Sequence, residues 1–195
     1  MARFLSQETS LFDLLKSTSN PAQPLIAAHG VGCLVNNAGV SPGLTRFTSV
    51  TAEQMSDTFN VNVIAPLMLT KALVKEMKCS EGASEQCLLK KPLIVNMGSI
   101  LGSIGENDRG GVYPYRASKA ALHMITKNVA LDLAGSGINA ICIHPGWLRT
   151  RMGGEHAHAS VEEGVEGIID NLLLNFSEEK HNGNLFDYHG EKVAW

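Results

Sequence analysis

The chain has 195 residues, of which 44% are hydrophobic and 18% charged, a balance typical of one soluble globular domain with a sizeable core. Its formal net charge is -3 and no cluster of lysine and arginine occurs, which argues against a nucleic-acid-binding surface. No apolar run is long enough to span a membrane, and the first residues lack the apolar centre of a signal peptide. We therefore expect a cytoplasmic protein that binds neither nucleic acid nor membranes.

The spacing of cysteine and histidine predicts no metal site. The four cysteines form no CxxC pair. Cys33 and Cys142 lie in apolar, strand-like runs, so we interpret both as reduced core residues. His156 and His158 have no third ligand nearby in the sequence, which is more typical of a polar loop than of a metal centre.

The N-terminal part of the chain contains one predicted strand. Residues 1–29 form an atypical segment, within which Ser17–Pro24 is typical of a loop. The apolar run Val31–Val35 predicts a short strand, which stops abruptly at the small and polar residues Asn36–Gly39. Residues 40–50 are predicted to be a loop.

A helix is predicted from Thr51 to about residue 77. Thr51 followed by Gln54 resembles a capping box, in which each side chain bonds to the backbone N–H of the other residue. Pro66 interrupts the helical run, so we expect a kink or an irregular turn over residues 62–66.

The rest of the chain alternates strands and helices. Its predicted elements are a surface loop over 78–91, a strand over 93–97, a helix over 115–134, a strand over 138–143, a helix over 161–175 and a strand over 184–188. Two of the strands are continuously apolar, as expected where helices cover both faces of a sheet. The pattern predicts an α/β fold with a parallel sheet.

Tyr115 and Lys119 form a candidate acid/base pair at the start of the clearest helix. They are four residues apart and therefore lie on the same helical face. An ammonium beside a phenol favours the phenolate, so Lys119 is expected to lower the pKa of Tyr115. The spacing alone is weak support, since many helices carry such a pair on a solvated face.

Three predicted strands end in small or polar residues, at Asn36–Gly39, Gly98-Ser99 and Pro145-Gly146. In an open parallel sheet, ligands bind beyond the carboxyl ends of the strands. The helix that carries Tyr115 begins on that side, so we expect Ser99 and Tyr115 to converge. A serine hydroxyl and a tyrosine phenol that face one carbonyl oxygen supply a polarising donor and an acid.

These motifs, taken in order, resemble those of the short-chain dehydrogenase/reductase family. The matching residues are Asn36-Asn37-Ala38-Gly39, Asn62, Ser99, Tyr115 with Lys119, and Pro145-Gly146 with Thr150. A narrower resemblance, to sniffer-type carbonyl reductases and bacterial C-factor proteins, is carried by residues 96–104, His144–Trp147, Met152–Gly154 and Gly190–Trp195. The resemblance covers residues 31–195.

The resemblance implies a Rossmann-like sheet with helices on both faces, N-terminally truncated relative to the family, with residues 30–195 as one domain. It implies NADP as the cofactor, with NAD also possible, a small carbonyl compound as the substrate and a possible homo-oligomer. Tyr115 would exchange the proton with the substrate oxygen, and Ser99 would hold that oxygen. Lys119 would lower the pKa of Tyr115 and bind the nicotinamide ribose, and Asn62 would hold a water in the proton relay. The cofactor would be lined by Asn36, Ala38 and Gly39 and bracketed at its nicotinamide amide by Pro145, Gly146, Leu148 and Thr150.

The chain departs from the family before Asn36, where the family's glycine-rich TGxxxGxG turn is missing. Gly98, Gly102 and Gly105 follow a strand, but the residues after them do not start a helix, so we reject them as a phosphate loop. Two functions stay open: an NAD(P)H-dependent carbonyl reductase, and a truncated, catalytically impaired protein that acts by binding or has no activity. An epimerase or dehydratase is a third, weaker option.

Three of these side chains also have simpler structural interpretations. Asn62 could bond a backbone carbonyl freed near Pro66, and Ser99 could cap the end of a strand. Trp147 is as compatible with the core as with a wall of a substrate cleft.

Overall fold

Four parallel strands form the centre of the protein. The computed structural model describes residues 21–79 and 89–195. The sheet has the order β1 (Cys33–Asn36), β2 (Leu93–Met97), β3 (Asn139–His144) and β4 (Leu185–Asp187), and every neighbouring pair is parallel. The helices in the described residues are α1 (Gln23–His29), α2 (Ala52–Phe59), α3 (Ala65–Leu73), α4 (Tyr113–Leu133), α5 (Val161–Gly167) and α6 (Glu178–His181). The predicted parallel α/β sheet is confirmed.

Apolar side chains cover both faces of this sheet, because successive residues of a strand alternate between its faces. One face is packed by Leu34, Ile94 and Ala140 with Leu73, Met77, Ala130 and Ile138. The opposite face is packed by Leu93, Val95, Ile141 and Ile143 with Leu172 and Phe186. The layers are those of a Rossmann-like fold. Of the helices in residues 21–79 and 89–195, none combines the length and the apolar character that a membrane span needs.

The predicted helix start and irregular turn are both confirmed. Thr51 and Gln54 form a complete capping box at the start of α2. A π-helical turn, Asn60–Ile64, then joins α2 to α3. It occurs here because Pro66 has no N–H to donate to the carbonyl of Asn62 and its ring would clash with that carbonyl in a regular helix. Asn62 belongs to this π-helical turn, so the turn fixes the position of its side chain.

Helix α4 begins two residues earlier than predicted, at Tyr113. Gly110, Gly111 and Val112 precede it, and all three have a positive φ. Glycine adopts this conformation readily, whereas a β-branched residue such as Val112 (φ 48°) does so at a cost in strain. The tight left-handed turn brings the start of α4 to the carboxyl edge of the sheet.

Some predicted details differ from the structure. Gln23 and Pro24, predicted as the end of a loop, begin α1, because proline is favoured in the first turn of a helix. Cys33 is exposed, so its assignment to the core is wrong, since β1 is an edge strand; Cys142 is buried as predicted. The short helix α6 was not predicted. The loops predicted over residues 17–20 and 80–88 lie outside the described residues.

Candidate active site

A cleft of about 560 Å³ lies at the carboxyl edge of the sheet, between the ends of β1, β2 and β3 and the first turns of α4. Most of the residues suggested by the sequence line it: Gly39, Ser99, Tyr115, Lys119, Pro145, Gly146, Leu148 and Thr150. They meet because the carboxyl ends of parallel strands share one edge of the sheet.

Ser99 and Tyr115 lie together in this cleft. Both side chains line it, and hydrogen bonding with the Ser99 hydroxyl lowers the pKa of Tyr115. The Ser99 Oγ also accepts the Leu101 N–H at 3.2 Å, so the hydroxyl is held in place by the turn that follows it. Burial of the phenol is the larger effect and raises the pKa of Tyr115 overall from its ordinary value of 10.0. The phenol is therefore protonated at neutral pH, the state that a proton donor needs.

Lys119 lies one helical turn beyond Tyr115 and is only 4% exposed. Its Nζ donates to the carbonyl oxygen of Met97 at 2.6 Å and lies 5.5 Å from the centre of the Tyr115 ring. Burial lowers the pKa of Lys119 to about 8. The pKa of Tyr115 nevertheless lies above its ordinary value, because desolvation of the phenol outweighs the effect of Ser99. A lowering of this pKa by Lys119 stays a prediction.

Asn62 is fully buried in the π-helical turn and joins three parts of the fold. Its Oδ1 accepts the Val40 N–H at 2.8 Å, and its Nδ2 donates to the Val40 carbonyl at 2.9 Å and to the Ser118 Oγ at 3.0 Å. The carbonyl that it binds therefore belongs to the loop after β1 and not to the Pro66 kink. The side chain fixes that loop against α4, and its part in a water relay stays a prediction.

Asn36 and Ala38 are not among the residues that line this cleft, and their part in cofactor binding stays a prediction. The buried Asn36 Nδ2 donates to the Asn96 Oδ1 at 2.7 Å and to the Thr70 Oγ1 at 3.3 Å, so this side chain belongs to the core. Ala38 is exposed and is not among the residues that line the cleft. Asn37 lines the cleft instead. Exposed and buried residues alternate along β1, and Asn36 falls on the same face as the buried Leu34, which indicates that its side chain is buried.

The other side of the cleft is formed by the loop that follows β3. Gly146 has φ 93°, and a Cβ there would lie 2.9 Å from the Tyr188 ring, so glycine is required by both conformation and space. The Trp147 Nε1 donates to the Gly153 carbonyl at 2.7 Å, and the indole lines the cleft while 48% exposed. Trp147 is thus a wall of the cleft and not a core residue.

Sequence reasoning did not assign several other residues that line the cleft. They are Ser41, Met97, Ile100, Leu101, Val112, His144, Met152 and Gly153. Most of them are apolar or lie in loops without a recognisable spacing, so only the folded chain brings them together. They make the lining of the cleft largely apolar, apart from His144 and Ser41.

A family model and several known proteins match this chain. The family model described as short chain dehydrogenase matches residues 17–160. The chain is 35% identical over 165 residues to C-signal from Myxococcus xanthus, which covers 85% of this chain and 93% of that protein. Against mammalian relatives that it matches at 36% identity, it spans only 39% to 50% of their length.

Solved structures of carbonyl reductases have the same fold. The carbonyl reductase Sniffer of D. melanogaster is 35% identical with a TM-score of 0.85, and the match covers 94% of this chain and 74% of that one. An NADPH-bound carbonyl reductase from chicken fatty liver is 29% identical with a TM-score of 0.75, over 100% of this chain and 73% of that one. The family model, the relative of similar length and the site geometry agree: the chain belongs to the short-chain dehydrogenase/reductase family of oxidoreductases.

Proposed function

We propose that this protein is an NADPH-dependent carbonyl reductase that acts on a small ketone or aldehyde. The observation that carries the proposal is that Ser99, Tyr115 and Lys119 line one cleft, where the Ser99 hydroxyl lowers the pKa of the Tyr115 phenol. Two hydroxyl donors side by side suit one carbonyl oxygen. The largely apolar wall near Ile100 and Trp147 suits the carbon skeleton of such a substrate.

The described residues fit the nicotinamide end of the cofactor. Gly39 offers space beside Lys119, since a Cβ there would lie 3.7 Å from the Nζ, and Pro145, Gly146 and Thr150 line the opposite wall. The strand-to-helix connections over 37–51 and 98–112 are long loops and not the tight glycine-rich turn that holds a pyrophosphate. NADPH is the form that we propose because the chicken carbonyl reductase is described as NADPH-bound.

In the proposed reaction, Tyr115 gives its phenolic proton to the substrate oxygen while Ser99 donates a hydrogen bond to the same oxygen. NADPH, when bound, supplies the hydride that the carbonyl carbon accepts, so a carbonyl, a hydride and a proton yield an alcohol. The positive charge of Lys119 stabilises the phenolate left on Tyr115. Asn62 holds the loop and helix that carry these groups, and we propose it as the holder of a relay water.

A second candidate is a protein of this family that acts by binding, without turnover. It is favoured by the edge of the sheet: within residues 21–79 and 89–195, β1 pairs with β2 alone, and Val35 of β1 is 52% exposed. An edge strand offers backbone hydrogen-bonding groups to another chain. NADPH affinity separates this candidate from the first, because a chain that cannot hold the nucleotide cannot carry out the reduction.

The test is a titration of the intact chain with NADPH, followed by the oxidation of NADPH with a panel of small ketones and aldehydes. The reductase proposal predicts saturable binding and turnover that Tyr115→Phe reduces by roughly 10²- to 10⁴-fold. Tyr113→Phe is the matched control, because Tyr113 lies in the same helical turn, is exposed and contacts Phe47. Absence of NADPH binding would favour the second candidate.

We further propose a cytoplasmic location and a homo-oligomer. Cys33, Cys79 and Cys142 are free thiols in the described residues, which suits a reducing compartment.

Met124 and Leu131 are large exposed apolar residues seven positions apart on α4, and so lie near one face of it. Light scattering of the purified protein measures the oligomeric state, and Met124→Lys is expected to convert an oligomer that uses this face to a monomer.

A further inference from the structure

His123 lies on the catalytic face of α4 but is not part of the site described above. Tyr115, Lys119 and His123 follow one another at intervals of four residues, so they lie above one another along the helix. His123 is 3% exposed, and its Nε2 lies against the backbone N–H of Ser99. The side chain is therefore close to the reacting groups without lining the cleft itself.

The backbone N–H of Ser99 donates a long hydrogen bond, 3.4 Å, to the Nε2 of His123. Only a neutral imidazole can accept it, with its proton on Nδ1. Burial, together with the charges of Lys119 and His144, lowers the pKa of His123 to about 4, which keeps the ring neutral. Gly98 makes this approach possible, because a Cβ there would lie 2.9 Å from Nε2 and 2.4 Å from the Cys142 Sγ.

The indole of Trp195 packs against the imidazole of His123. The two rings lie 5.5 Å apart between their centroids. The Trp195 carbonyl accepts the Gly105 N–H at 3.1 Å, and the Val193 N–H donates to Leu185 of β4 at 2.9 Å, which ties this segment to the sheet. The turn from Ser99 to Gly105 is thus held by His123 at one end and by Trp195 at the other.

We propose that His123 is a positioning residue for Ser99, and that Trp195 holds the imidazole in its accepting orientation. The imidazole fixes the backbone of Ser99, and the fixed backbone directs the Ser99 hydroxyl toward Tyr115 and the substrate oxygen. The effect on turnover rests on the proposed reductase function. The effect on the backbone of Ser99 does not, and it can be measured without any substrate.

The test compares His123→Gln, whose amide oxygen can replace Nε2 as acceptor, with His123→Leu, which keeps much of the volume but cannot accept. Hydrogen exchange of the amides of residues 99–105 and steady-state kinetics are measured for both. The Leu variant is expected to speed exchange at the Ser99 amide and to lower kcat roughly tenfold at an unchanged KM for NADPH. The Gln variant is expected to restore both to near the wild-type values.

Trp195→Ala and Trp195→Phe repeat the comparison at a residue outside the cleft, should a substitution at His123 prevent folding. The alanine variant is expected to show faster exchange at Ser99 and lower kcat, and the phenylalanine variant to restore them. Equal exchange at Ser99 in the wild type, the Leu variant and the Trp195→Ala variant would overturn the inference. A His123→Leu variant that loses thermal stability but keeps the wild-type kcat and the wild-type exchange at Ser99 would also overturn it. A wild-type chain without turnover would refute the reductase function, while the exchange data would still decide the role of His123.

Discussion

Ser99 and Tyr115 line the same cleft, although one follows β2 and the other belongs to the first turn of α4. Hydrogen bonding with the Ser99 hydroxyl lowers the pKa of Tyr115, while burial raises it by more. In the reaction that we propose, Ser99 therefore tunes the acid as well as holding the substrate oxygen. Its hydroxyl is oriented by the Leu101 N–H, so the tuning depends on the turn after β2.

Ser99→Ala is therefore expected to raise the pKa of Tyr115 further, because the only cause that opposes desolvation is removed. The measurement is an ultraviolet difference titration of tyrosine, in which the signal of a Tyr115→Phe variant is subtracted to isolate one phenol. Ser103→Ala is the control, since Ser103 is equally buried in the same segment but donates no bond to Tyr115. An unchanged pKa in Ser99→Ala would contradict this relationship.

Lys119 makes the stability of the protein depend on pH in a predictable direction. Its pKa is about 8 in the folded protein against 10.5 ordinarily, so between these values the unfolded chain binds more protons. The free energy of unfolding attributable to Lys119 therefore rises as the pH increases from about 8 to 10.5, by on the order of 3 kcal/mol. The cost of burying the ammonium is fully present below pH 8.

Denaturant unfolding of the wild type and of Lys119→Met at a series of pH values measures this effect. The difference between the two removes the contribution of groups that do not interact with Lys119. Cys142, whose pKa burial raises to about 12, interacts with Lys119 and contributes to the difference. Lys127→Met, on the same helix, controls for removal of a lysine. Parallel curves for the wild type and Lys119→Met would show that the ammonium is not desolvated.

Asn36 and Asn37 are adjacent in the sequence, but we expect their substitution to affect different properties, stability for Asn36 and NADPH affinity for Asn37. Asn36→Ala leaves the Asn96 Oδ1 buried without its donor, so we expect a loss of about 1–3 kcal/mol in unfolding free energy. NADPH affinity should change little. Asn37→Ala, which alters an exposed residue of the cleft, should weaken NADPH binding with little effect on stability. The reverse pattern would restore Asn36 as a cofactor residue.

Gly102 allows the turn after Ser99 to approach α4 closely. A Cβ at this position would lie 2.6 Å from the Lys119 Cβ and 2.7 Å from the Lys119 carbonyl carbon, and a helix backbone cannot move aside. Gly102→Ala is therefore expected to cost about 1–3 kcal/mol and to lower kcat by separating Ser99 from Tyr115. Gly135→Ala is the control, because nothing lies within 4 Å of a Cβ there. Equal thermal stability of the two variants would contradict the close contact.

Local sequence signals were sufficient to predict the strand, the helix start and the irregular turn that hold the candidate site. The continuously apolar run predicted β2 at its observed bounds, and Thr51, Gln54 and Pro66 predicted the helix start and the irregular turn that carries Asn62. Each signal reflects a physical requirement of its own segment, such as a cap for free N–H groups or a proline that lacks one. Such features can be read without knowledge of the rest of the fold.

Features that depend on contacts between distant segments could not be predicted. Cys33 has the apolar neighbours of a core residue, and only the position of β1 at the sheet edge exposes it. The contacts of His123 with Ser99 and Trp195 join segments that share no spacing or motif. The raised pKa of Tyr115 could not be predicted for the same reason, because desolvation depends on the whole surrounding fold.

The central claim is that Tyr115 and Ser99 act as one unit on a carbonyl oxygen. The most direct measurement is kcat/KM for carbonyl reduction in Tyr115→Phe, Ser99→Ala and the double variant, with NADPH affinity titrated separately for each. The claim predicts that the double variant loses about as much as Tyr115→Phe alone, since a unit that has lost its acid has little left to lose. Losses that multiply between the two substitutions, or a Tyr115→Phe variant as active as the wild type, would contradict it.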